Sequence, residues 1–228
     1  AVAATVRRGL RVPRLLVASL LHFAGNPRDQ SLLDSLTRLG RALPVGVFDN
    51  DSIRAYLHKI YSIKDRTDDF RRLGKHLVIV AADLDSGEAV RFGEPGMDQV
   101  PISVAVQAST ALPGVYTPVE IDGRHYVDGV LLKTMHGSVA LEAGADLLIC
   151  LNPLVPVDTS KAVAAGVMRR GKLIDRGLPS VLSQALRTMI RSRLQAGIAS
   201  YASLFDGAEI MLLEPRRDDY RMFFTNVF

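Results

Sequence analysis

Hydrophobic residues follow two different spacings along this chain. Apolar positions recur at helical spacing from Val12 to Phe23, from Leu32 to Leu43, and along a long amphipathic stretch from Pro179 to Leu204. Leu77–Ala82 and Asp146–Leu151 are instead continuous apolar runs, the pattern of strands buried on both faces. Because strand and helix signals alternate, we expect an α/β fold with a mostly parallel central sheet.

The middle of the chain predicts a hairpin that ends on an acidic residue. Ala89–Phe92 reads as a partner strand, and Ile102–Ala108 as a helix of small residues that can pack closely on a sheet. Val115–Ile121 alternates as a strand, and Asp122-Gly123 is a tight turn signal. The returning strand then places Asp128 at its end, directly before Gly129.

Three further predictions concern the C-terminal half of the chain. Lys133–Ala143 can form a helix that Gly144 ends, and Ile210–Leu213 reads as a last strand. Residues 154–178 carry a proline and three glycines and are expected to form loops.

The turn after the first buried strand has two readings. Asp83-Leu84-Asp85-Ser86-Gly87 has the D-x-D-x-G spacing of a calcium loop. It lacks the rest of the twelve-residue ligand set, so a hydrogen-bonded turn is the favoured interpretation.

Composition narrows the class of protein. With 228 residues and 48% hydrophobic content the chain can bury a substantial core, and one domain is the natural count. The single cysteine, Cys150, lies within an apolar strand and is predicted to be a buried structural thiol. No apolar run reaches about 18 residues, so we expect a soluble protein, either cytoplasmic or held at a membrane surface.

Basic residues cluster between Lys161 and Arg193. That stretch contains eight lysines and arginines but only one acidic residue, Asp175, and the whole chain has a formal charge of +4. A solvated face is the usual explanation of such a run, with a membrane or nucleic-acid contact as the alternative. Aromatic residues do not interleave with the run, and the sequence has no helix-turn-helix, zinc or RNA-recognition signature, so we expect no nucleic acid as a partner.

Three segments together resemble the patatin-like phospholipases. They are Val78–Glu88, Ala105–Tyr116 and Val119–Gly129, in this order and with suitable spacing. The resemblance implies a three-layer α/β/α sandwich with a C-terminal helical extension. It implies a catalytic domain over residues 1–153, with 154–228 adding a basic loop, a long helix and a final strand to the same domain. The strong part of the resemblance runs from about Phe48 to Pro153.

The resemblance also implies chemistry. In that family a serine attacks an ester carbonyl and an aspartate accepts its proton, without a histidine, a metal or an organic cofactor. Asp128, followed by Gly129, matches the family's D-G-G or D-G-A aspartate, although the third position here is Val130. Taken on spacing alone, Asp128 would be read as a turn or cap residue. The family's glycine-rich oxyanion loop and its G-x-S-x-G nucleophile turn do not occur in this sequence.

No other residue of the sequence replaces the nucleophile convincingly. Ser109 lies in a small-residue segment without a G-x-S-x-G frame, so a packing or capping hydroxyl is favoured. The five histidines show neither H-E-x-x-H nor a cysteine-histidine cluster, which argues against zinc.

Two interpretations of the missing nucleophile remain open. Both ends of the sequence stop inside apparent secondary structure, which favours a portion of a longer lipid acyl hydrolase. The alternative is a catalytically silent module that binds lipid or a membrane surface. In either case we expect a lipid or ester ligand, and we expect exposed apolar surface to make the fragment aggregate or pair with another copy. A further hypothesis assigns contact with anionic lipid to Arg169, Arg170, Lys172, Arg187, Arg191 and Arg193.

Overall fold

The computed structural model describes residues 46–166, 168–169 and 171–219. The predicted helices over Val12–Phe23 and Leu32–Leu43 lie outside these ranges. Contacts group the chain into two compact units, one ending at Asp128 and the other beginning at Gly129. The extent of the catalytic domain to residue 153 stays a prediction.

The described part of the first unit, residues 46–128, contains six strands, two helices and a 3-10 turn. Its elements, in chain order, are β1 Gly46–Phe48, α1 Asp51–Tyr61, the 3-10 turn Phe70–Arg72, β2 Ile79–Asp83, β3 Ala89–Phe92, α2 Ile102–Ser109, β4 Gly114–Tyr116, β5 Val119–Ile121 and β6 Arg124–Asp128.

Four of these strands form an antiparallel sheet. Its order is β3-β2-β6-β5, and every pairing within it is antiparallel. The prediction of a mostly parallel central sheet is therefore wrong for this sheet, while the mixture of helices and strands agrees with an α/β fold. The reason is local: Asp122-Gly123 joins β5 to β6 and a five-residue turn joins β2 to β3, and such short links cannot make the crossover that parallel strands need. β1 and β4 form a separate parallel pair.

Small side chains hold helix α2 against this sheet. Ala105 and Ala108 are fully buried, and Ala81 of β2 is buried in the same hydrophobic cluster. Phe92 and Tyr126 meet edge to face within it, with ring centroids 5.4 Å apart. The predicted close packing of a small-residue helix is confirmed, and it keeps β2 and β6 fixed beneath α2.

The second unit begins with the residues that follow Asp128. Its elements are the 3-10 turn Gly129–Leu131, α3 Ser138–Glu142, β7 Leu147–Leu151, α4 Ser160–Ala164, α5 Lys172–Asp175, α6 Leu178–Leu204 and β8 Glu209–Leu213. The loops predicted over 154–178 are interrupted by two short helices, α4 and the one-turn α5. The long amphipathic helix is confirmed, with Pro179 in its first turn and with Ile190, Leu194 and Tyr201 buried.

The helix predicted over Lys133–Ala143 is much shorter than expected. Met135 and His136 have φ angles of 70° and 42°, and a right-handed helix cannot run through such residues. Helix α3 therefore starts only at Ser138, and Gly144 follows its end with a φ of 88°.

Strands β7 and β8 pair in parallel, and one face of the pair is apolar and exposed. In register, Ile149 lies beside Met211 and Leu151 beside Leu213. These four side chains are 47% to 67% exposed, whereas Cys150 on the opposite face is buried. The expectation that β7 is buried on both faces is wrong in this structure. Within the described residues, none of the helices has both the length and the apolar character of a membrane span.

Candidate functional site

Asp128 occupies the last position of strand β6. It lies opposite Ala81 of β2, and its amide donates a hydrogen bond of 3.0 Å to the carbonyl oxygen of Ala111. Ala81 and Ala111 are fully buried, whereas Asp128 is half-buried. The backbone of Asp128 is thus held from both sides at the end of an interior strand, as the hairpin pattern predicted.

The residues after Asp128 turn at once into a short helix. Gly129 is buried, and its carbonyl accepts the amide of Leu132 at 3.0 Å. Val130, where the family motif has glycine or alanine, is half-buried. Asp128 therefore lies at a strand-to-helix turn.

Ser109 does not have the setting of a nucleophile. Its hydroxyl donates a 2.7 Å hydrogen bond to the carbonyl of Val80 in β2, and so ties the end of α2 to the sheet. The packing role predicted for this hydroxyl is confirmed.

Cys150 is 4% exposed, and burial raises the pKa of its thiol. A raised pKa disfavours the reactive thiolate, so the interpretation as a buried structural thiol is confirmed.

A second serine lies in a cluster that resembles a catalytic triad in composition but not in geometry. The hydroxyl of Ser103 and Nδ1 of His58 both contact Oδ2 of Asp68, at 2.7 and 2.9 Å. A catalytic triad needs the histidine between the serine and the acid. Ser103 is also only 2% exposed, so no ester can reach it.

Asp68 instead supports the beginning of helix α2. Its Oδ1 accepts the amide of Ser103 at 2.7 Å, and its carbonyl accepts the amide of Ile102 at 3.0 Å. Burial by itself raises the pKa of Asp68, but the hydrogen bonds from His58 and Ser103 outweigh it and lower the pKa overall.

The Asp83 turn is a hydrogen-bonded turn, as favoured over a calcium loop. Oδ1 of Asp83 accepts the amides of Asp85 and Ser86 at 2.9 and 3.3 Å. Oδ2 forms an ion pair of 2.6 Å with Nη2 of Arg124, although it makes no aligned hydrogen bond. Burial raises the pKa of Asp83, but the two amides and Arg124 lower it overall. Among the described residues, no group of three or more histidine, cysteine or acidic side chains is arranged to hold a metal ion.

The six basic residues proposed for lipid contact do not form one exposed face. Arg187 is 7% exposed, and Arg191 lies 3.7 Å from Glu214. Arg193 donates hydrogen bonds to backbone carbonyls near Asp128. The hypothesis is therefore wrong for Arg187, because its side chain is buried. For Arg191 and Arg193 it stays a prediction. Arg169 is exposed, Arg170 lies outside the described residues, and the side chain of Lys172 is not described.

Sequence reasoning missed how the segment after Asp128 is held. Hydrogen bonds made by Arg193 and by Thr134 join this segment to helix α6. A third hydrogen bond joins the His136 ring to the carbonyl of Gly129. No local motif marks them, since Arg193 lies about sixty residues further along the chain than its partners.

Comparison with known proteins agrees with the resemblance seen in the sequence. The family model described as patatin-like phospholipase matches residues 9–135, which are 127 of the 228 residues. Similar curated proteins include uncharacterized NTE family proteins of Mycobacterium bovis and of two strains of Mycobacterium tuberculosis. Each is 34% identical over 113 residues, which cover 50% of this chain and 26% of the relative. The matched part therefore spans about a quarter of the length of these relatives.

Proposed function

The chain belongs to the patatin-like phospholipase family, and from this membership we propose that its Asp128 is the acid of a serine–aspartate dyad that hydrolyses carboxylic esters of lipids. The observation that supports the proposal most directly is the placement of Asp128. It ends an interior strand, is half-buried, and is followed by a buried glycine and a helical turn.

The proposed reaction has two halves. A serine hydroxyl attacks the ester carbonyl carbon while Asp128 accepts its proton, and the ester C–O bond then breaks as the leaving alcohol takes that proton back. Water attacks the acyl-serine in the second half, giving up a proton to Asp128, and the fatty acid leaves as the serine is restored. No metal or organic cofactor takes part.

Asp128 can serve as a base only if it is well placed. A carboxylate with an ordinary pKa near 4 is a weak base toward a serine hydroxyl, so the dyad depends on short, aligned hydrogen bonding and on backbone amides that stabilise the oxyanion. The pairing of β6 with β2 and the hydrogen bond to Ala111 support such alignment, since both restrain the backbone of Asp128.

The test compares two Asp-Gly pairs of the same hairpin. Asp128→Asn is made in the longest natural polypeptide that contains residues 1–228, and hydrolysis of p-nitrophenyl butyrate and octanoate is measured. We expect a fall in kcat of about 100-fold or more, because removal of a general base costs roughly that much. The control is Asp122→Asn: Asp122 is exposed with a φ of 51°, which asparagine tolerates, so activity should stay unchanged. Full activity of Asp128→Asn would refute the proposal.

A catalytically silent lipid-binding module is the second candidate. Val130 in place of a small residue and the lack of a G-x-S-x-G sequence in the chain favour it. Intact mass and labelling with a fluorophosphonate, which reacts with activated serines, separate the two candidates. A purified natural protein of 24.8 kDa that takes up no label would support the silent module. A heavier protein that is labelled at a serine would support the hydrolase.

A further inference from the structure

The segment that follows Asp128 is held in place by helix α6. We name residues 129–137 the Asp128 loop. Nη1 of Arg193 donates a 2.7 Å hydrogen bond to the carbonyl of Leu131, and Nη2 donates to the carbonyl of Leu132. One guanidinium therefore binds two successive carbonyls at the end of the 3-10 turn Gly129–Leu131.

These carbonyls need a partner from outside the turn. The last carbonyl groups of any helix have no N–H donor within the helix, and a cation at that end is also favoured by the helix dipole. The planar fork of arginine can serve two acceptors at once, whereas the ammonium group of lysine acts as a single point charge.

Two further hydrogen bonds restrain the same loop. The buried hydroxyl of Thr134 donates to the carbonyl of Ile190 at 3.2 Å, and Nε2 of His136 lies 3.0 Å from the carbonyl of Gly129. Ile190 and Leu194, on either side of Arg193 along α6, are 3% and 2% exposed. Arg193 thus projects from a part of the helix that is itself packed firmly.

We propose that Arg193 is a positioning residue for Asp128, a role that rests on the proposed function. Strand pairing holds the backbone up to Asp128, and the Arg193 fork holds the chain directly after it. The backbone is thereby restrained on both sides of the residue that carries the carboxylate. A weak base loses rate steeply when it is misplaced by an ångström, so freeing one side of Asp128 slows the chemical step without changing how the ester binds.

The experiment uses charge-conserving variants of two arginines in one helix. Arg193→Lys is compared with Arg191→Lys, whose single ion pair with Glu214 an ammonium group can still make. In the polypeptide used for Asp128→Asn, we expect kcat of Arg193→Lys to fall about 10-fold with KM unchanged. Arg191→Lys should keep both constants. Hydrogen exchange of the amides of residues 130–136 should quicken in Arg193→Lys and not in Arg191→Lys.

A second, milder variant provides a test if Arg193→Lys does not fold. Thr134→Val removes one hydroxyl from the same loop at nearly constant volume and should lower kcat in the same direction by a few-fold, again with KM unchanged. Melting temperature is measured for every variant, so that a general loss of stability is distinguished from a local one.

The outcomes separate the two proposals. If Asp128→Asn is inactive but Arg193→Lys and Thr134→Val keep wild-type kcat, or if exchange in residues 130–136 is unchanged, the positioning role is refuted and the dyad stands. A rise in KM equal to the fall in kcat would also refute it. If Asp128→Asn stays active, the dyad fails and the positioning role fails with it.

Discussion

Aspartates of the first unit show how one residue type takes different roles. Asp83 is 1% exposed and closes a turn, Asp68 supports the start of helix α2, and Asp128 is half-buried at a strand end. The turn role of Asp83 follows from its immediate neighbours, so the sequence predicted it. The role of Asp68 does not, because its partner Ser103 lies 35 residues away.

Replacement of Asp68 tests its role at helix α2. Asp68→Asn keeps one acceptor but loses the charge that His58 and Ser103 stabilise, so we expect the free energy of unfolding at pH 7 to fall by about 1 to 2 kcal/mol. Urea unfolding followed by circular dichroism measures the change. The control is Asp65→Asn, an exposed turn residue with a φ of 67°, which should leave stability unchanged.

The effect of Asp68 depends on pH in a defined direction. Folding lowers the pKa of Asp68, so its contribution is complete above the unfolded value of about 3.9 and is lost as pH falls through the folded value. The stability difference between wild type and Asp68→Asn should therefore still be present at about pH 5 and should shrink as the pH falls below about 4. A difference that grows between about pH 4 and about pH 2 would contradict this assignment.

At the scale of elements, backbone geometry decided where the predicted patterns stop. The strand predicted over Val115–Ile121 divides into β4 and β5 around Pro118, and β4 pairs with β1 instead of joining the four-stranded sheet. Proline lacks the amide that a ladder needs, which explains the break. Gly93 is another such point: it follows β3 with a φ of 98°, and a Cβ there would lie 2.2 Å from the carbonyl oxygen of Leu77.

Two glycine substitutions should therefore have opposite signs. Gly93→Ala forces an unfavourable φ and a backbone clash, and we expect it to lower the free energy of unfolding by about 2 to 4 kcal/mol. Gly197→Ala lies inside α6, where the nearest atom to the new Cβ is 4.0 Å away, and should raise it by about 0.5 to 1 kcal/mol. Thermal and urea unfolding of both variants measure this. If both substitutions changed the free energy of unfolding by the same amount, the close approach of Gly93 to the carbonyl of Leu77 would not affect stability.

At the scale of the whole molecule, the exposed face of β7 and β8 is the main departure from the expected architecture. Parallel sheets in α/β proteins are normally covered on both faces, and here Ile149, Leu151, Met211 and Leu213 are 47% to 67% exposed. The matched part of the chain spans about a quarter of the length of the curated relatives. The expectation that apolar surface is exposed is confirmed, whereas self-association stays a prediction.

Self-association of the 228-residue chain can be measured directly. We expect the apparent mass in light scattering to rise with concentration, because burying these side chains from water is favourable. Ile149→Lys with Met211→Lys should reduce that rise, and Leu204→Lys, which changes a single side chain that is 71% exposed on α6, should not. A wild-type mass of 24.8 kDa at every concentration would contradict the prediction.

Local pattern by itself determined much of this protein. It gave the alternation of helices and strands, the buried strand before Asp83, the hairpin at Asp122-Gly123, the long helix α6 and the strand-end placement of Asp128. Each of these depends on residues that are close in sequence, where hydrophobic spacing and turn chemistry act directly.

Tertiary structure decided the rest. The direction of the strands in the four-stranded sheet and the exposure of one face of β7 depend on the tertiary structure. The contacts of Arg191 and Arg193 likewise depend on partners that come from elsewhere in the chain. A run of arginines has the same local pattern whether it faces solvent or caps a turn. In this protein the carbonyls of Leu131 and Leu132, brought next to α6 by folding, give Arg193 its role.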